Sequence, residues 1–323
     1  MNNQPLVSII TPCYNGESFL HRYFGAILAQ TYSNIELIFV NDGSTDKTEE
    51  IALSYKDKLE AKGVKFIYMY QDNAGQAAAV NSALKVFSGE YLTWPDSDDW
   101  MSDDCIKKKV DYLESHNEYS MVMCRTAKIM ESDLSKCVSY YARKNKNNHN
   151  VFVDLISYED VYFAPGGYMV RSQSLLEALP TRNIYCGNTG QNMQLLLPVA
   201  YNHECGFMDD ILYYYLIRDN SHSRSSKTPE QVYSNLYGNE NTVIQTLKLI
   251  DMSVDEREKY VKLASYSWAK KRFYASIEFR DKASITKFYR EIGNNGKISL
   301  KLRIQSFVFR NKLLSAIYNI FKS

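Results

Sequence analysis

The sequence predicts an α/β fold, a mostly parallel sheet flanked by helices, with a helical C-terminal extension. Three observations predict it. Short β-branched and aromatic runs alternate with helical stretches over the first hundred residues, the pattern of βαβ units with right-handed crossovers. Polar loops follow those runs. Beyond about residue 229 the strand pattern gives way to helical stretches. On this reading residues 1–225 form the main domain and 226–323 the extension.

Leu6-Val7-Ser8-Ile9-Ile10-Thr11 is the first strand, closed by Pro12, which has no N–H to donate to a ladder. Cys13-Tyr14-Asn15-Gly16-Glu17 leads into a helix over 18–30. The second strand, 35–40, closes on Asn41-Asp42-Gly43-Ser44-Thr45-Asp46. There Asp-Gly supplies the turn, and Ser44, Thr45 or Asp46 caps the next helix. A third strand spans 64–70, Asn73-Ala74-Gly75-Gln76 opens a helix over 77–87, and a fourth strand spans 89–94. A helix over 105–115 and strands near 120–130 follow. The polar stretch 142–150 has no apolar residue after Ala142 and reads as a mobile loop. A turn and strand over 163–171, a strand over 211–216, and helices over 242–250 and 256–279 complete the chain.

Composition narrows the class. A formal net charge of +1 gives no sign of a nucleic-acid partner. The six cysteines form no C-x-x-C pair and no metal-ligand spacing, so they read as reduced thiols of a cytosolic protein. The N-terminus lacks a basic n-region, and its apolar run is too short to span a bilayer. The expected location is therefore cytoplasmic, with any membrane contact peripheral and on the inner face. Neither G-x-x-x-x-G-K-[ST] nor G-x-G-x-x-G occurs, so no ATPase or dinucleotide fold is indicated.

The chemistry gathers at Asp96-Ser97-Asp98-Asp99, after the fourth strand. Open α/β sheets place their ligands at the carboxyl ends of the strands. Clustered carboxylates repel unless a cation or a set of donors neutralises them. A hard divalent ion shared with substrate phosphates does so; a solvated acidic turn that caps a helix is the other reading. Parallel strands put Tyr14, Asn15 and Glu17, Asp42, Asn73, Gly75 and Gln76, and the Asp cluster on one rim.

Four stretches, Val7-Ser8-Ile9-Ile10-Thr11-Pro12-Cys13-Tyr14-Asn15-Gly16, Ile38-Phe39-Val40-Asn41-Asp42-Gly43-Ser44-Thr45-Asp46, Asn73-Ala74-Gly75-Gln76 and Asp96-Ser97-Asp98-Asp99, resemble glycosyltransferase family 2, bacterial surface-polysaccharide type. The likeness runs over roughly residues 5–225, densely to Trp100, and implies a GT-A fold. It implies transfer of a sugar from a nucleotide donor, UDP-linked, to a hydroxyl of a growing glycan that is free or lipid-linked. Pro12, Tyr14 and Glu17 would lie beside the nucleobase and ribose, and Asp42 would accept from a base N–H. Asn73 and Gln76 would line the donor and Asp96 would face the ribose and sugar. Asp98 would ligate a Mn²⁺ or Mg²⁺ bridging the phosphates, and His222 and Arg224 would close over them. Gly166 and Gly167 would let backbone approach the acceptor sugar.

The resemblance also implies a Glu-Asp pair at the start of a late helix, its Asp the general base of an inverting displacement. Here Gln191 and Asn192 stand in that place, and amides do not accept a proton at neutral pH. Three readings follow: the amides hold the acceptor while Asp99 or Asp160 takes the proton, the alignment is shifted, or the stereochemical course differs. Asn192 as a plain helix cap is the structural alternative. A polyprenyl-phosphate acceptor, which ionises without a base, is one rival function. A non-catalytic sugar-nucleotide binding protein is another.

The last stretch, 292–323, carries six Lys/Arg and no acid. Apolar residues recur in it near helical spacing, which suits an anionic membrane surface contacted through 297–323. A packed helix or a homo-oligomer contact is the alternative.

Overall fold

The computed structural model describes residues 4–187, 189–218 and 228–311. The chain divides into two compact units, residues 1–222 and 223–323. The expected boundary at 225/226 lies outside the described residues.

The first unit holds strands β1 (Val7–Cys13), β2 (Ile35–Asp42), β3 (Lys65–Gln71), β4 (Tyr91–Thr93), β5 (Trp100–Met101), β6 (Tyr119–Met130), β7 (Asp133–Tyr141), β8 (Tyr168–Arg171) and β9 (Glu204–Ile217). They form one sheet of order β3-β2-β1-β4-β8-β6-β9-β5, with β7 paired to β6. β1 to β4 run parallel to one another, and β6 and β9 share their direction. β5, β7 and β8 are antiparallel to their neighbours. The α/β reading therefore holds, in a mixed sheet with four parallel and four antiparallel pairings. Every residue of β1 and β2 is buried, as expected when helices cover both faces of a parallel sheet.

Helices α1 (Leu20–Leu28), α2 (Thr48–Ser54), α3 (Lys56–Ala61) and α4 (Gln76–Leu84) connect the parallel strands. α5 (Cys105–Ser115), α6 (Phe152–Ser157), α7 (Ser172–Ala178) and α8 (Met193–Asn202) complete the unit. Pro12 does not end β1 as expected: it pairs with Val40 inside the strand. This is tolerated because β4 pairs with β1 only as far as Ile9.

Two further expectations are corrected. The stretch 142–150 is not a loose loop, because the Arg143 side chain is buried and staples it. Arg143 donates to the carbonyls of Asn145, Asn148 and Asp160 and to the Asp154 carboxylate at 2.6 Å. The late strand begins at Glu204 rather than 211. Its register against β6 jumps from Met208 to Ile211, so Asp209 and Asp210 form an irregularity that hides the strand pattern.

The second unit holds α9 (Pro229–Leu249), α10 (Val254–Glu278), α11 (Lys282–Asn295) and α12 (Leu300–Arg310). Each starts at a side-chain cap: Thr228, Ser253, Asp281 and Ser299 accept from the backbone N–H three residues on. Tyr233, Ala269, Phe273, Ile285, Phe288, Ile292 and Leu302 form its core. Arg272 is buried beside it, paired with Glu240 at 2.5 Å and Glu291 at 3.0 Å, over the Tyr237 ring. Among the described residues no helix is long and apolar enough to cross a membrane. The six cysteines are unpaired.

Candidate active site

The carboxyl ends of β1 and β2 are laced together. The Asn15 N–H donates to Ser44 Oγ, Gly16 N–H to Thr48 Oγ1 and Glu17 N–H to Asp46, all within 2.9 Å. In return Asn15 Oδ1 accepts from Thr45 N–H, and Glu17 accepts from Lys47 N–H at 3.0 Å. Asn15 takes a left-handed conformation, φ 52°, which suits its short polar side chain. Tyr14 is left 52% exposed at this platform, open to stack on a ligand, while Pro12 is buried in β1.

Asp42 ends β2 and is 3% exposed. Its Oδ1 accepts from Gln71 Nε2 at 2.8 Å and Ala74 N–H at 3.0 Å, and its Oδ2 from Gly75 N–H at 2.9 Å. A carboxylate has about four acceptor sites; three are used inside the protein. Asp42 thus shapes the loop that bears Asn73 and Gln76, with room for one more donor. Gly43 (φ 71°) completes the turn, and a Cβ there would sit 2.5 Å from the Asn73 backbone nitrogen.

The acidic cluster follows β4. Thr11 Oγ1 donates to the Pro95 carbonyl at 3.2 Å, tying the cluster to β1. Oxygens of Asp96, Asp98 and Asp99 lie within 4.8 Å of one another. Asp96 accepts from Gln76 Nε2 at 2.8 Å, so the third loop meets the cluster. Burial, reinforced by the Asp98 charge, pushes Asp96 up to about 7. Burial pushes Asp99 well above the carboxylate range, and the charges of Asp98 and Asp96 add to it. Asp98 pairs with Arg218 at 2.6 Å, and its carbonyl accepts from Arg22 Nη2, also at 2.6 Å. Three hard oxygen donors, two held back from ionising by burial and mutual repulsion, fit a hard divalent cation. Cys13, buried at the rim, is no nucleophile: burial pushes its thiol up to about 12.

Asp99 is 1% exposed, accepts from Leu216 N–H at 2.8 Å and lies against the Tyr213 hydroxyl. Both its burial and the Leu216 N–H hold this carboxylate on the inner side of the cluster. Asp160 binds the N–H groups of Lys144 and Asn145 within 2.9 Å and faces Arg143 at 3.7 Å, so it serves the polar loop. Gly166 and Gly167 are buried. A Cβ on the first would overlap the Tyr213 ring and on the second would crowd Thr126, so both positions need glycine for protein packing alone.

Gln191 and Asn192 do precede a helix, α8. Asn192 holds the cap position without a side-chain cap bond, and Gln191 donates to the Gly187 carbonyl at 3.3 Å. His222 and Arg224 lie outside the described residues. Sequence reasoning missed Arg22, Gln71, Tyr213 and Arg218. Arg218 sits directly after β9, where a basic residue at a strand end was the only signal.

A family model described as glycosyl transferase family 2 matches residues 8–179. An uncharacterized glycosyltransferase of Haemophilus influenzae is 34% identical over 165 residues, 49% of this chain and 65% of that protein. One of Rickettsia typhi is 44% identical over 121 residues, 37% of this chain and 36% of the relative. This chain thus matches only about a third to two thirds of the length of these relatives. Among solved structures, S. aureus TarS 1-349 in complex with UDP-GlcNAc superposes with a TM-score of 0.67 at 15% identity, covering 97% of this chain and 91% of that one. The mannosyltransferase PcManGT from Pyrobaculum calidifontis, in complex with GDP-Man and Mn2+, gives 0.56 at 14% identity, covering 100% and 89%. At such identities the likeness is one of fold.

Proposed function

The chain belongs to glycosyl transferase family 2, and from that premise we propose that it transfers a sugar from a UDP-linked donor to a hydroxyl of a growing surface glycan, with inversion, at the cytoplasmic face of the cell. One observation carries this reading: the loop after β1 bonds the loop after β2, Asp42 bonds the loop after β3, and Gln76 of that loop bonds Asp96 of the acidic cluster. Four polar loops far apart in sequence are thus linked in series. The UDP-GlcNAc bound by TarS, a protein of the same fold, supports the choice of UDP.

In this reading the base stacks by the exposed Tyr14, beside Pro12 and Glu17. The remaining acceptor site of Asp42 takes a base N–H, and Asn73 borders the ribose. Gln76 holds Asp96 toward the ribose and sugar. Arg218, with His222 and Arg224 farther along, supplies donors to the diphosphate. A Mn²⁺ or Mg²⁺ held by Asp98, with Asp96 and Asp99 behind it, would supply charge that favours departure of the nucleoside diphosphate. Gln191 and Asn192 bind and orient the acceptor.

The test is thermal unfolding with UDP, GDP, CDP or dTDP, each with and without Mn²⁺, on wild type and Asp98→Ala. A ligand at a hundred times its Kd adds about 2.7 kcal/mol of stability. A shift with UDP that needs both Mn²⁺ and Asp98 is expected. No shift with any nucleotide would bring a non-catalytic protein forward.

A second reading rests on the amides Gln191 and Asn192 in front of α8. A polyprenyl-phosphate acceptor brings its own negative oxygen, so a site without a base serves it.

A further inference from the structure

Helix α12 carries two apolar faces. Leu302 and Ser306 are buried at 3% and 0%, and Phe309 packs against the core of the helical unit. The other face is unpartnered by that core: Leu300, Ile304 and Phe307 are 72%, 54% and 64% exposed. At about 100° per residue these three fall within roughly 60° of one another, on the side opposite Leu302 and Ser306. Exposed Lys301 borders the ridge on one side, and exposed Arg303 and Arg310 border it on the other. Lys297, in the approach to the helix, is also exposed, and no acid occurs from residue 292 onward.

We propose that this ridge is a docking face for an anionic lipid surface, with Leu300, Ile304 and Phe307 entering the acyl boundary and Lys301, Arg303 and Arg310 resting among the headgroups. The charge pattern selects this occupant. A core-facing stripe or a contact between two copies would bring like charges together across the ridge, whereas anionic headgroups neutralise both flanks at once. The membrane contact expected from composition thus gains a particular surface, separate from the face that holds the helix in its unit. Because binding is read without donor or acceptor, this inference fails or stands apart from the transfer reaction.

The experiment is co-sedimentation of the full chain with vesicles of phosphatidylcholine, alone or mixed with phosphatidylglycerol, at low and high salt. Wild type is expected to sediment with the anionic vesicles and to be released by salt. Joint replacement of Leu300, Ile304 and Phe307 by Ser should lower the partition coefficient ten-fold or more. Lys301→Gln with Arg303→Gln should lower it about five-fold per charge removed. These side chains are exposed, so unfolding temperatures should stay near wild type, and the charge variant tests the face even where the ridge variant is less stable. Equal binding of wild type and both variants, or no binding to anionic vesicles, overturns the proposal. So does a lipid-free, concentration-dependent dimer that the ridge variant abolishes, since the face then belongs to a second copy.

Discussion

Arg218 Nη2 stands 2.6 Å from Asp98 Oδ2, so the carboxylate proposed as metal ligand already has a resident counter-charge. The guanidinium also lies over the Phe19 ring, 5.3 Å from its centroid, which limits where it can go. A cation bound to Asp98 competes with Arg218. Arg218→Gln is therefore expected to tighten Mn²⁺ binding in the absence of nucleotide and to weaken UDP binding in its presence. A third of the Arg218 side chain is exposed, so solvent screens the pair and each effect should be only about five-fold, near 1 kcal/mol. Titration calorimetry with Mn²⁺ alone, then with UDP, checks both signs. Weaker Mn²⁺ binding would show that Arg218 helps build the metal site.

Asn192 offers a direct test of the acceptor. If the acceptor is a sugar hydroxyl, Asn192→Asp supplies a carboxylate where this chain has an amide. General-base assistance contributes about 10²–10⁴-fold, and the turnover of the variant should rise toward that range and gain a basic limb in its pH profile. An unchanged or lower turnover, with retained UDP binding, favours an acceptor that arrives already ionised.

The elements readable in advance were those with a simple environment. β1 and β2 are buried on both faces, so runs rich in β-branched and aliphatic residues marked them, with only Ser8, Thr11 and Glu36 as polar interruptions. α5 was placed residue for residue from its spacing. β7 was missed because nearly all of it is exposed, which leaves no alternation to read. The rim loops were legible as motifs, but their wiring was not. That Asp42 spends three acceptor sites on Gln71, Ala74 and Gly75, or that Gly166 yields space to Tyr213, depends on contacts across long stretches of chain. Arg218 and Asp98 are 120 residues apart by their numbering, and no local pattern joins them.

Glu36 anchors the opposite end of the sheet. Its side chain is fully enclosed and accepts from Ser8 Oγ, Ser88 N–H and Oγ, Gly89 N–H and Lys65 Nζ. Burial alone would raise its pKa, but these donors outweigh it and hold the group below the ordinary glutamate value. Its stabilisation is therefore full above that value and is lost as pH falls through the lower folded pKa. Glu36→Ala should cost about 1–3 kcal/mol at neutral pH for each buried donor left unpaired. Urea midpoints should differ widely from wild type at pH 7 and converge in acid; a constant gap would mean the loss is one of packing.

Asp96 has the opposite sign. Its folded value, about 7, lies above the ordinary 3.8 because burial and Asp98 disfavour the charged form. The neutral carboxyl is stabilising below the ordinary value, and that contribution is lost as pH rises through about 7. Each unit of separation is worth up to about 1.4 kcal/mol. In a chelator, wild type should lose stability between pH 4 and 7 relative to Asp96→Asn, and Mn²⁺ should reverse the trend by favouring the carboxylate. Parallel stability curves for the two proteins in chelator would show that Asp96 is already ionised without metal.

Gly43 separates a strain in the backbone from damage to the site. Both Gly43 (φ 71°) and Gly63 (φ 88°) take conformations that cost a side-chain-bearing residue roughly 1–2 kcal/mol. Around Gly63 the nearest atom to an added Cβ is the Ser33 carbonyl oxygen at 4.0 Å, so Gly63→Ala carries the backbone cost alone. At Gly43 the added carbon meets the Asn73 backbone nitrogen at 2.5 Å, and backbone does not swing aside as a side chain would. Relief must move the 73–75 loop, which loosens the bonds from Ala74 and Gly75 to Asp42 and displaces Gln76 from Asp96. Gly43→Ala should therefore lose more stability than Gly63→Ala and also lose UDP affinity by ten-fold or more, while Gly63→Ala binds UDP as wild type does. Equal losses of stability with intact UDP binding in both would mean that the Asp42 cradle tolerates displacement and plays no part in holding the donor.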